Sequence, residues 1–186
     1  RSERKMVLKI LKSGIKSTAI FHDLYLNNEN GKYSQIDLVV ATKVGIVVFE
    51  VKEYSGWIFG NENQINWTQI LAYGKRKYRF YNPILQNEKH IEDLKKFYHF
   101  DNIPVFSMIV FFGDCKFKNL IDLPSRTFLT KSNKAMMRFN EILENNQPAK
   151  YGNKWEIANL LKQAVKNGEN SIIREKHIKN IEKIKA

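Results

Sequence analysis

Asp37, Glu50 and Lys52 stand inside a run, Gln35 to Gly56, whose other residues are mostly the apolar and β-branched kind that fill a buried sheet. A lone charge in such surroundings is either strongly destabilising or neutralised. Two carboxylates and an ammonium therefore need a shared task. If the chain turns through Lys43 and Val44, Thr42 faces Gly45, and counting back along the hairpin sets Asp37 opposite Glu50. Directly opposed residues have Cβ atoms about 5 Å apart, close enough for both carboxylates to hold one divalent cation. Lys52, two residues beyond Glu50, emerges on the same face. A three-residue loop ending at Gly45 would shift this parity and require a bulge to return Asp37 to Glu50. Opposed like charges repel, so the arrangement makes physical sense with a cation between them.

A hard cation on two carboxylates, with other positions left to water and substrate, is the usual mode for magnesium or manganese in phosphate chemistry. Such an ion acidifies water and offsets charge developing on a phosphoryl oxygen; Lys52 is then suited to orient the attacking water or to stabilise the transition state. Taken alone, a D…ExK pattern is short and also fits half-exposed strand residues, with Lys52 paired to Glu50 or Glu53 at the surface.

The elements that must position these groups follow from hydrophobic period. Residues 3 to 11 carry Met6, Val7, Ile10 and Leu11 at helical spacing, and Glu3 shares their inward stripe. Residues 17 to 26 read as a strand, 27 to 32 as a polar turn, and 34 to 41 with 46 to 52 as a buried hairpin. "GWIFGNENQINW" reads as a second, more exposed hairpin; Trp57 and Trp67 flank it and are suited to stack on bases, but packing the hairpin onto the domain is the favoured reading. After the basic stretch "GKRKYRF", Asn82 before Pro83 fits an N-cap, and an apolar stripe through Leu85, Ile91 and Leu94 predicts a helix from about 83 to 99. Gln86 and His90 lie four apart on one face of it. Strands at 105 to 112 and 127 to 130 precede a helix begun by Ser132, then helices over 153 to 167 and 171 to 185. His22, within an apolar strand, reads as a satisfied structural histidine.

At 186 residues, 43% of them hydrophobic, the chain is expected to form one domain. Lys and Arg number 31 against 19 Asp and Glu, a formal charge of +12, which points to an anionic partner. Nucleic acid ranks ahead of membrane because no apolar run is long enough to span a bilayer. The single cysteine, Cys115, excludes an intrachain disulfide and reads as a buried inert thiol, fitting a cytoplasmic location. The polar, basic start has no signal-peptide core, and no initiator Met opens it, which fits a fragment of a longer protein.

Glu3, Asp37, Glu50-Val51-Lys52, "SGWIFG…W" and "NPILQNEKHIEDL" come in an order and spacing that resemble the nuclease-related domain, or NERD, family, over about residues 1 to 112. That family looks like a branch of the restriction-endonuclease-like, PD-(D/E)xK, superfamily. The resemblance implies an α/β fold with a mixed central sheet flanked by helices, a family-like core over about 1 to 130, and a helical C-terminal extension over about 131 to 186. It implies further that Glu3 is the helix-borne acidic residue, Asp37 the metal-binding aspartate, Glu50 with Lys52 the ExK pair, and Gln86 the glutamine of the helix after the sheet. Asn82, Pro83 and His90 belong to the same signature.

The expected function is magnesium- or manganese-dependent hydrolysis of phosphodiester bonds in DNA, with Asp37, Glu50 and Glu3 at the metal. Lys75, Arg76, Lys77, Arg79 and His90 are the expected DNA contacts; Arg174, Lys176, Lys179 and Lys183, interrupted by Glu175 and Glu182, form a second, less favoured basic set. The alternative is a non-catalytic nucleic-acid-binding or targeting module of a larger protein. Inward carboxylates that repel phosphate argue against it. A homodimer and attachment to further domains are both left open.

Overall fold

Gly45 carries the hairpin at the centre of the molecule. Its φ of +139° belongs to the region that favours glycine, and a Cβ there would run into the carbonyl of Pro104. Thr42 braces the same turn: its hydroxyl donates to the Gly45 carbonyl at 2.7 Å and accepts from Val44 N–H at 3.2 Å. Strands β2 (Tyr33–Thr42) and β3 (Gly45–Glu53) leave this turn with Thr42 opposite Gly45. Their ladder runs back to Leu38 opposite Phe49. The two-residue turn is thus the observed one.

The computed structural model describes residues 2–27, 32–71, 74–98, 102–119 and 123–185. The first sheet has the order β1-β2-β3-β7-β9, with β1 (Ile20–Asn27), β7 (Val105–Phe112) and β9 (Thr127–Lys131) joining the hairpin. β1, β2 and β3 are antiparallel neighbours, whereas β7 is parallel to both β3 and β9. Every residue of β7 is buried, as a strand covered on both faces requires. One face is closed by α1 (Ser2–Lys12) and α3 (Ala135–Asn145) through Met6, Ile10, Phe139 and Ile142. The other is closed by α2 (Pro83–Tyr98) and α4 (Lys154–Glu169) through Leu94, Ile157 and Leu161. Helix α5 (Ser171–Lys185) follows. The α/β class with a mixed, helix-flanked sheet is the one expected. The C-terminal helices, expected as an extension, supply side chains to both core clusters.

A second sheet was not foreseen. It has the order β6-β5-β4-β8, built from β4 (Gly56–Phe59), β5 (Asn66–Leu71), β6 (Arg76–Tyr81) and β8 (Cys115–Lys118). The expected second hairpin is β4 with β5, but Trp67 and Ile58 are fully buried against Ile109 and Phe111 of β7. The basic stretch, to which the sequence assigns no element, forms a strand, β6. Two starts also move: residues 17–19 form a 3-10 turn before β1, and α3 begins at Ala135 after a turn at Ser132. The expected polar turn lies mostly in 28–31, and the expected last residue of α2, at 99, also falls outside the described residues. No described helix is long and apolar enough to cross a membrane.

Candidate active site

Where the β2–β3 ladder stops, Asp37 turns its carboxylate toward β3. Its Oδ2 accepts from Val51 N–H at 2.8 Å. Ile36 packs in the cluster facing α4 while Leu38 packs in the cluster facing α1, so β2 twists through Asp37. The neighbouring strand deviates at the same level. Asp23 has φ +55°, a left-handed conformation that Asp tolerates better than most residues. Alternation therefore breaks: Phe21 and Leu24 fill one cluster, and the consecutive His22 and Asp23 both reach a cavity. Gln35 Nε2 donates to Asp23 Oδ1 at 2.8 Å across the two strands.

One step further along β3, Glu50 is 2% exposed. Lys52 Nζ lies 2.6 Å from Glu50 Oε1 and donates to Gln86 Oε1 at 2.9 Å, so α2 holds the ammonium from above. His90, one turn along α2, brings Nε2 to 3.5 Å from Glu50 Oε2, an electrostatic contact too long for a good hydrogen bond. Its Nδ1 shares a proton with Ser34 Oγ at 3.0 Å. Helix α2 is itself pinned at its start. Asn82 Oδ1 accepts from Ile84 N–H at 2.9 Å, while Asn82 Nδ2 donates to the carbonyls of Asn61, Glu62 and Gln64. Asn87 Nδ2 then reaches Val48 O at 2.9 Å and Ser107 Oγ at 2.8 Å, locking the helix to β3 and β7.

The two carboxylates carry opposite shifts. Burial, then the negative charge of Glu50, pushes Asp37 from the ordinary 3.8 up to about 8 despite the Val51 N–H and Lys52. Burial acts upward on Glu50 as well, but His90 and Lys52 outweigh it and hold Glu50 below the usual range. In metal-free protein Asp37 is thus mainly the acid and Glu50 the carboxylate. A raised folded-state value means that the stability tied to this group is present below about 3.8 and is lost as pH rises through about 8. Asn at 37 keeps an oxygen for Val51 N–H and has no proton to lose. Asp37→Asn is therefore expected to match the wild type near pH 4 and to melt roughly 5 to 10 °C higher near pH 9, in chelator, a difference on the order of a few kcal/mol. Equal melting temperatures at both pH values would contradict the shift.

The structure brings Asp37, Glu50, Lys52, Gln86 and His90 together. Glu3 differs from expectation: it is exposed, and the buried first-turn residue is Ser2, whose hydroxyl donates to Glu53 Oε2 at 2.6 Å. Glu3 meets Asp37 across a cavity of about 570 Å³ shared with Arg4, His22, Asp23 and Arg174. Glu50, Lys52 and Gln86 do not line it. His22 is exposed in this cavity, not a buried structural histidine. His90 is 7% exposed beneath Glu50, so the expected direct contact with DNA is not open to it. Lys75, Arg76, Lys77 and Arg79 are all exposed, but strand alternation places Lys77 and Arg79 on one face of β6 and Arg76 on the other.

His22, Asp23 and Arg174 escaped sequence reasoning as residues of this cavity. A left-handed Asp inside a strand leaves no periodic signal, and Arg174 comes from a helix far along the chain. Among the described residues no three His, Cys, Asp or Glu side chains form a ready-made metal cage. The donor chemistry nevertheless suits a hard cation: two carboxylates, with Glu50 Oε2 buried and without a hydrogen-bond partner.

The nuclease-related domain (NERD) family model matches residues 1–112. An uncharacterized protein of Bacillus anthracis is 34% identical over 121 residues, which cover 64% of this chain and 56% of that protein. The chain thus spans little more than half the length of that relative. No solved structure matches this chain.

Proposed function

The chain belongs to the nuclease-related domain family, and from that premise we propose that it is a metal-dependent deoxyribonuclease. The observation that carries this reading is the meeting, at the fork between β2 and β3, of the Asp37 carboxylate with the Glu50–Lys52 pair. Asp37 and Glu50 would hold magnesium or manganese, with Glu3 assisting from the rim. The ion supplies charge neutralisation at a phosphoryl oxygen and a more acidic water. Lys52 contributes a fixed ammonium where transition-state charge develops, and Gln86 holds that ammonium in place. His90 orients Glu50 from the side opposite Lys52.

Incubation of purified protein with circular and linear DNA tests this reading. Cleavage should require magnesium or manganese and stop in chelator. DNA left intact with every cation would favour the binding-module reading. The basic surface should supply affinity that depends on salt more than on sequence, with a slope of roughly −0.9 in log affinity against log salt for each phosphate neutralised. Neutralising Lys75, Arg76 and Lys77 together should flatten the slope measured on duplex DNA in chelator. An unchanged slope would remove that patch from the interface.

A further inference from the structure

Among the described residues, one face of the second sheet belongs to no core cluster. Its inward side chains include Ile58, Trp67 and Cys115, all fully buried. The outward side chains, read across the four strands by their pairing, form two rows. One is Lys116, Trp57, Ile70 and Lys77; the next is Lys118, Phe59, Thr68 and Arg79. Tyr81 continues the face along β6 and is 49% exposed. Each row has a cation at both ends and an aromatic ring within, and neither contains a carboxylate.

From this juxtaposition we infer that the outer face of the second sheet is a docking surface for single-stranded DNA. The cations on β8 and β6 are separated by three inter-strand spacings, roughly 14 Å, so they border a strip wide enough for bases between two lines of phosphate-binding charge. Trp57 is 41% exposed, with Lys118 Nζ 5.6 Å from its ring centroid, so the ring is held in place yet open to stacking. Beside it lies a hollow of about 300 Å³ bordered by Ile70, Asp114 and Lys116. The expectation that Trp57 packs inward fails because only alternate residues of β4 face the core. A duplex keeps its bases stacked within and offers this face phosphates alone, which would leave the aromatic rings unused; a single strand engages both groups. Charge complementarity selects a polyanion and the rings select exposed bases. This deepens the proposed function by naming the form of DNA held, and relies on it only for the identity of the polymer.

The test is fluorescence anisotropy, in chelator, with a labelled oligothymidylate, the same length of duplex, and unlabelled heparin as a base-free competitor. Because chelator removes cleavage from the readout, a failure of the nuclease reading leaves this test intact. Oligothymidylate should bind tighter than duplex and resist heparin. Replacing Trp57 and Tyr81 together by Ala should weaken oligothymidylate about tenfold or more while changing duplex far less. Trp57→Phe, which keeps a ring, should retain most of the affinity, and Lys116→Glu with Lys118→Glu should weaken both ligands. Duplex binding as tight as single strand, equal losses on both ligands in the aromatic variant, or no loss at all would overturn the inference.

Discussion

Asp37→Asn and Glu50→Gln should each abolish metal-dependent cleavage. Both changes preserve side-chain size and remove a negative charge on which a hard dication depends, so metal occupancy falls. Without metal, DNA affinity should hold in Asp37→Asn, whose acid is already mainly neutral, and hold or rise in Glu50→Gln, which removes a carboxylate that repels phosphate when no cation lies between them. The two variants should differ in the fold. Asn at 37 removes a buried acid that resists ionisation, whereas Gln at 50 leaves the Lys52 ammonium, 2.6 Å away and 18% exposed, without its counter-charge. Glu50→Gln is therefore expected to lower stability by on the order of a few kcal/mol where Asp37→Asn does not. Gel assays of cleavage with thermal melts in chelator check both halves of this expectation. Wild-type cleavage by either variant would remove that residue from the metal site.

Lys52→Ala should slow the chemical step by roughly 10²- to 10³-fold while leaving magnesium binding in place. The ammonium sits on Glu50 Oε1, so its removal frees an oxygen, and the affinity for magnesium should rise. The same substitution takes away the donor to Gln86 Oε1. Gln86→Ala should consequently reproduce part of the rate loss by loosening the lysine. Single-turnover rates at saturating magnesium separate the two effects. A lysine variant that loses magnesium and rate together would identify Lys52 as part of the metal site's support, not a charge acting on the transition state.

The hairpin was legible because its register rests on local chemistry: a Gly at the one position needing positive φ, a Thr to brace it, and apolar residues whose parity permits no slip. The same logic located α2 from Asn82 and Pro83; Asn82 Oδ1 caps the helix while its Nδ2 ties down the loop after β4. What failed was non-local or aperiodic. β6 is an edge strand whose charges hide its period, as edge strands commonly do, and β8 is too short to show one. Helical phase points Glu3 inward, but Ser2 takes the buried place through Glu53, a contact made across the fold. His22 reached the cavity through the turn of backbone at Asp23, and no pattern of residue types encodes such a turn.

The claim that Asp37 and Glu50 jointly hold a divalent cation is tested most directly by calorimetric titration of magnesium into metal-free protein at pH 7 in buffers of different ionisation enthalpy. Asp37, raised to about 8, begins protonated and must give up its proton to become a ligand. The wild type should bind magnesium with the release of close to one proton, seen as heat that scales with buffer enthalpy, and Asp37→Asn should show neither binding nor release. No magnesium heat in any buffer, or binding without proton release in the wild type, would contradict the account.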